Sequence, residues 1–291
     1  MRLASYFHEE TNKIGIVQNE TIIDISPFCS DMLTLIKRTG EDKDLLGSWS
    51  NQATESHPLE AVRLLSPVPL PHRNIMCLGL NYAEHAAEHY SASGRETSLP
   101  EFPIIFTKAT TSINGPYDPI PFDPHVTEEL DWEVELAVII SREGVNIPTK
   151  KAMDYVFGYA VLNDVSARDL QRKHKQYFKG KSLDGACPMG PWIVTSESID
   201  DPHDLQIVSR VNGEIKQESN TKFMIFRIPE IIAQISLGMT ILPGDIIATG
   251  TPSGVGFARQ PPEFLQPGDM VECEIQGVGI IRNKVIGKSI M

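Results

Sequence analysis

Residues 85–89 read H-A-A-E-H, and three further acids, Glu133, Glu135 and Asp164, fall in or beside strongly apolar runs later in the chain. On a helix, His85 and His89 at i and i+4 share a face, the spacing of an inverted zinc-protease motif with Glu88 as base. The same segment permits a second reading. His85 and Glu88 at i and i+3 meet on one turn, so the carboxylate can orient the imidazole for proton transfer.

The segment ELDWEVELAVII is expected to form a strand in which Glu133 and Glu135 point one way and Trp132, Val134 and Leu136 the other. Two carboxylates on one face of an apolar strand would raise each other's pKa, and burying one unpaired costs several kcal/mol. A bound cation removes that cost, whereas a solvated edge strand would leave the pair with no special role. Asp164 weighs for the cation, because it ends the apolar run GYAVLND at a corner before a helix. Ser166 and Asp169 there have the spacing of a capping box. Oxygen-only ligands suit Mg²⁺ or Mn²⁺ better than Zn²⁺.

The elements that must position these groups are mainly strands. Apolar, β-branched runs such as NIMCLGL, GPWIVT, QIVSRVNGEI and MVECEI are separated by Pro, Gly and Asp turns, and Asn212-Gly213 signals a tight hairpin. Helices are expected at DMLTLIKRTG, SARDLQRKHKQ and IPEIIAQIS. Pro67, Pro69 and Pro71 favour an extended connector, so the chain divides into a small N-terminal α+β domain over residues 1–70 and a β-rich body over 71–291.

A net charge of −12 leaves no basic stripe for nucleic acid or an anionic membrane surface. The cysteines, Cys29, Cys77, Cys187 and Cys273, are scattered and read as free thiols. No run approaches a membrane span, and the N-terminus lacks the apolar core of a signal peptide, so a soluble cytoplasmic protein is expected.

In order along the chain, GLNYAEHAAE, PIIFTK, the E-x-E pair, GYAVLNDVSARDLQ, GKSLDGACPMGP, VNGEIKQ and ATGTPSGVG resemble the fumarylacetoacetate hydrolase (FAH) family from about residue 72 to the C-terminus. The resemblance implies an α+β fold, a mixed β-sandwich roll with few helices and the small N-terminal domain, commonly as a homodimer. It implies Glu133, Glu135 and Asp164 as ligands of Mg²⁺ or Mn²⁺. It makes His85 and Glu88 a catalytic dyad on a mobile lid, and Lys181 the lysine that stabilises a developing enolate. Gln171, with Gly250 and Thr251 of the glycine-rich loop, would contact the substrate, the loop cradling its carboxylate; Arg73 and Lys108 are weaker candidates for that carboxylate.

The activity first expected from the resemblance is hydrolysis of a C–C bond in a 2,4-dioxo acid, as in an acylpyruvase, with water activated by the dyad. Oxaloacetate decarboxylation, or isomerisation or hydration of 2-hydroxy-dienoates in aromatic catabolism, would use the same metal site. Specificity would come from rim residues such as Tyr90, Tyr177 and Phe178, and the polar stretch YSASGRETSLPEF after the lid is expected to move. His89 has no role in the family pattern and is read as a solvated helix residue, which leaves the zinc peptidase a remote alternative. A non-catalytic binding module with a structural metal is disfavoured by the adjacent acid–base pair.

Overall fold

The computed structural model describes all residues except 43, 93–95, 97–98 and 288–291. Its centre is the strand Val134–Ile140, every residue of which is buried. It runs antiparallel to Val156–Asn163 on one side and to Ile246–Ala248 on the other. Because side chains alternate across a strand, Leu136, Val138 and Ile140 enter one apolar core while Ala137 and Ile139 enter a second on the opposite face. A sheet covered on both faces explains why this run is apolar at every position but Glu135.

Among the described residues the main sheet has twelve strands. From the centre it extends through Ile246–Ala248 and Ile75–Gly79 to Ile104–Lys108. In the other direction it passes through Val156–Asn163 and Cys187–Thr195 into the N-terminal strands Arg2–His8, Thr11–Gln18, Thr21–Asp24 and Ser56–Pro58. A five-stranded sheet, Glu214–Asn220, Gln206–Val211, Met270–Ile275, Gly279–Gly287 and Ile120–Phe122, closes the first core. The Asn212-Gly213 hairpin forms with φ of 53° and 82°, as the two-residue turn requires.

The first 70 residues, expected from the sequence as a separate small domain, continue the same sheet through Arg2 opposite Val194 and Leu3 opposite Ile193. Leu3, Ile14, Ile16 and Ile36 pack in the same core as Ala137, Ala160 and Met189. The helices Met32–Glu41, Arg168–His174 and Ile228–Ser236 lie where their sequence patterns place them. Among the described residues no helix is long and apolar enough to cross a membrane.

Leu136 is fully buried in the central strand. Leu136→Ala should lower the unfolding free energy by about 2–5 kcal/mol, read from urea denaturation; a loss below about 1 kcal/mol would show that this strand does not organise the core.

Candidate active site

Glu133, Glu135 and Asp164 each offer a carboxylate oxygen, and these oxygens lie within 4.8 Å of one another. The residues are 4%, 1% and 0% exposed, which overturns the solvated-edge reading. The geometry differs in one respect from simple alternation, because Glu133 precedes the strand that begins at Val134. Its N–H donates to Asn163 Oδ1 (3.0 Å), while the Asp164 N–H donates to Glu133 O (2.8 Å). Two backbone corners are thereby tied together, and the acids on them converge.

Three cations are buried with them. Lys181 Nζ donates to Glu133 Oε2 and to Asp164 Oδ2, both at 2.6 Å. Lys108 Nζ donates to Asp164 Oδ1 (2.7 Å) and Val165 O (3.0 Å). The Arg168 guanidinium reaches Glu133 Oε1 (2.6 Å) and Asp131 Oδ2 (2.8 Å). Four buried carboxylates, Asp131, Glu133, Glu135 and Asp164, thus face three buried cations. Glu135 is the acid without a salt bridge among the described residues; it accepts the Gly250 N–H at 2.7 Å.

The electrostatics follow this pairing. Burial pushes the Glu133 carboxyl up, but Lys181 and Arg168 outweigh it and hold Glu133 below the usual carboxylate range. Glu135 goes the other way: burial first, then the like charges of Asp164 and Glu133, raise it well above an ordinary glutamate. Lys181 stays protonated, because Asp164 and Glu133 overcome its burial. A pocket of oxygen donors that carries one negative charge in excess once Glu135 ionises fits a hard divalent cation such as Mg²⁺ or Mn²⁺.

Lys181 lies on the short helix Phe178–Lys181, which packs closely on Arg168–His174. A Cβ on Gly180 would lie 2.6 Å from Gln171 Cγ and 2.7 Å from Ala167 O, so glycine is needed for this approach. The capping box expected at Ser166 does not form. Ser166 and Ala167 make a short strand against Leu130–Asp131, Ser166 Oγ donates to Asp164 O (2.9 Å), and Asp169 Oδ1 accepts from Thr127 Oγ1 (2.6 Å). The sheet pairing wins over the local cap.

His85 is on the helix Ala83–Ala92, with Nδ1 3.4 Å from Glu88 Oε2. Both Glu88 oxygens accept the Gly254 N–H at 3.0 Å, which docks this helix on the glycine-rich loop. That loop does bind anions, but they are the protein's own: Gly250 serves Glu135, Gly254 serves Glu88, and Gly256 donates to Asp131 Oδ1 at 2.7 Å. Gly250 has φ of +95° and a Cβ there would lie 2.7 Å from Asn81 Cβ. Thr251 Oγ1 donates to Val134 O (2.9 Å) and accepts from Gln217 Nε2 (2.8 Å).

A cavity of about 790 Å³ opens over the cluster, lined by His85, Glu133, Arg168, Gln171, Lys181 and Thr251 among others. Tyr177 lines it too, packed edge-on against Phe106, whereas Tyr90 and Phe178 do not. His89 is a lining residue set edge-on to Phe257 at 5.5 Å, not the solvated residue expected. Among the described residues, neither His85 nor His89 belongs to a three-ligand metal group, which removes the geometric basis of the peptidase reading. Arg73 binds Asp245 and Thr240 O and does not line the cavity. Residues 93–95 and 97–98 of the polar stretch after the lid lie outside the described residues. Asp131 and Arg168 had no assigned role in the sequence, and only Asp131's place in an apolar run signalled it.

The profile of the fumarylacetoacetate (FAA) hydrolase C-terminal domain matches residues 74–286. The chain belongs to the FAH family. Within it, oxaloacetate tautomerase YisK of Bacillus subtilis is 44% identical over 266 residues, covering 91% of this chain and 85% of that protein. The solved fumarylacetoacetate hydrolase of Exiguobacterium antarcticum is 39% identical, with a TM-score of 0.82 over 99% of this chain and 100% of that one. Maleylpyruvate hydrolase of Sphingobium sp. SYK-6, solved with manganese(II) and pyruvate, is 31% identical, with a TM-score of 0.81 over 99% and 100% of the two chains. The fold is thus common ground, while the reactions named for these relatives differ.

The raised Glu135 gives a pH signature. A carboxyl whose folded pKa exceeds its unfolded value stabilises the fold at low pH, and that contribution is lost as pH rises from the ordinary value of 4.5 through the folded one. Metal-free protein should therefore lose thermal stability across this window, and added Mg²⁺ should restore more of it at pH 8 than at pH 5. Equal Mg²⁺ stabilisation at both pH values would contradict the assignment.

Proposed function

We propose that this protein moves a proton at the carbon beside the 2-oxo group of a short 2-oxo acid, keto–enol tautomerisation of an oxaloacetate-type acid being the favoured reaction. The observation that carries this reading is the His85–Glu88 pair, fixed by Gly254 beside a cavity that His85, Glu133 and Lys181 line, with the Glu135 and Asp164 carboxylates clustered with that of Glu133. These three acids would hold Mg²⁺ or Mn²⁺, which supplies Lewis-acid polarisation of the 2-oxo group.

The His85 imidazole accepts the proton of the C3–H bond, and Glu88 stabilises the imidazolium that results. Lys181 spends two of its three N–H groups on Glu133 and Asp164, which leaves one for the negative charge developing on the substrate oxygen. Return of the proton from His85 to that oxygen completes the enol. One C–H bond breaks and one O–H bond forms, with no change of oxidation state. Gln171 lines the cavity and is oriented by Arg168, whose N–H donates to its Oε1 at 3.1 Å, and it contacts the substrate's polar groups. Gly250 and Thr251 act as supports, holding Glu135 and the loop.

The likeness to YisK supports tautomerisation, a reaction that the sequence reading, which placed C–C hydrolysis first, did not name. Hydrolysis of a 2,4-dioxo acid is the second reading. It is favoured by the likeness to maleylpyruvate hydrolase and by a cavity of about 790 Å³, ample for a longer acid and a water. The same dyad would then deprotonate that water. A homodimer is the assembly proposed from the resemblance.

With Mg²⁺ present, decay of enol-oxaloacetate absorbance should be accelerated by the wild type and slowed about 10²–10⁴-fold by His85→Gln or Glu88→Gln. Wild-type rates in both variants would end the dyad's role. Acetate and pyruvate from acetylpyruvate, with oxaloacetate turned over no faster than by Mg²⁺ alone, would replace tautomerisation by hydrolysis.

A further inference from the structure

The N-terminal sheet carries a second convergence of ligating groups, remote in the fold from the cavity. Tyr6 pairs with Lys13, Gly15 with Asp24, and Ile22 with His57. Directly opposed residues share a face and alternate residues along a strand return to it, so Tyr6, Lys13, Asp24 and His57 all stand on one face. Gly15, at the centre, adds no side chain. Glu55 is held beside them, since its carbonyl accepts the Asp24 N–H at 3.0 Å. Asp24, Glu55 and His57 each offer a ligand atom, and these lie within 4.8 Å of one another.

A second, independent observation points to a ligand. Tyr6 is 0% exposed and its hydroxyl makes no hydrogen bond of good geometry, only the Asp24 carboxylate of the same cluster acting on it, and His57 Nε2 is a buried nitrogen without a partner. Unpaired buried polar atoms are uncommon and costly, and here two of them meet at one cluster. The rings of Tyr6 and His57 are 6.2 Å apart, and the nearby Asp24 and Glu55 charges add to burial in pushing the phenol pKa up.

We propose that Asp24, Glu55 and His57 bind a first-row divalent metal ion such as Zn²⁺ or Co²⁺, with Tyr6 facing the coordination sphere. An imidazole with two carboxylates suits such an ion better than Mg²⁺. With metal–ligand bonds of about 2.0–2.2 Å, tetrahedral ligand atoms stand roughly 3.4 Å apart, so any pair near the 4.8 Å limit must draw together on binding. Glu55 is exposed and can supply that movement. Lys13 Nζ lies 2.9 Å from Asp24 Oδ2 and is the competitor for this carboxylate; at 18% side-chain exposure it has a path to solvent. The ion would clamp Ser56–Pro58, at the sheet's outer edge, to Thr21–Asp24.

The test uses the full chain, stripped with EDTA and given excess Mg²⁺ so that the cavity acids are filled. Co²⁺ is then titrated while its visible absorption and the bound metal are measured. One Co²⁺ per chain should bind, with affinity lowered at least tenfold by Glu55→Gln and by His57→Gln, unchanged by Glu135→Gln, and raised by Lys13→Gln. Glu55 is an exposed residue, so its variant keeps the experiment decisive should His57→Gln disturb the strand. Binding of equal affinity in both variants, binding abolished by Glu135→Gln, or no Co²⁺ bound to the wild type would overturn the proposal and leave the two orphan atoms to water.

Discussion

The structure depends on the cost of burying Glu135. A carboxylate at the centre of a sheet covered on both faces cannot be hydrated, and its neighbours Glu133 and Asp164 share the same deficit. Lys108, Lys181 and Arg168 are drawn inward to offset the negative charge, and each needs its own path through the fold. The close helix contact at Gly180 brings Lys181 in, the strand Ile104–Lys108 brings Lys108, and the Ser166–Ala167 strand turns Arg168 toward Asp131. The remaining excess of one negative charge is what makes the site receptive to a divalent ion.

The glycine-rich loop belongs to the same arrangement. Its N–H groups are spent on Glu135, Glu88 and Asp131, so it joins the ligand cluster, the dyad and the buried arginine through one backbone segment. Position of the helix Ala83–Ala92 and position of the acidic centre are therefore coupled mechanically. Gln217 extends this coupling: it accepts the Val134 N–H and donates to Thr251 and to Pro252 O, bracing the loop against the central strand.

Much of this was legible in the sequence where the signal is local. Acids inside apolar runs, a two-residue Asn-Gly turn and a His-x-x-Glu turn all report their physics within a few residues. Where long-range pairing competes with local chemistry, the local reading failed: Ser166 looked like a cap but serves a strand, and Glu133 looked like a strand residue but precedes it. His89 looked solvated because nothing nearby in sequence announces Phe257, 168 positions on. Lys108 could be seen in PIIFTK, but not that it would be wholly buried against Asp164. The loop glycines were read as anion binders, and they are; that the anions come from the protein depends on contacts 115 to 166 residues apart.

The proposed proton transfer needs both an acidic centre that holds a divalent ion and a dyad that moves the proton. Exchange of the C3 hydrogens of oxaloacetate in D₂O, followed by proton NMR with EDTA-treated protein before and after Mg²⁺ is restored, tests both halves at once. Exchange above the Mg²⁺-only background is expected when protein and Mg²⁺ are together, and exchange no faster than the uncatalysed background from the stripped protein. Equal exchange by the stripped and restored protein would contradict the proposed proton transfer.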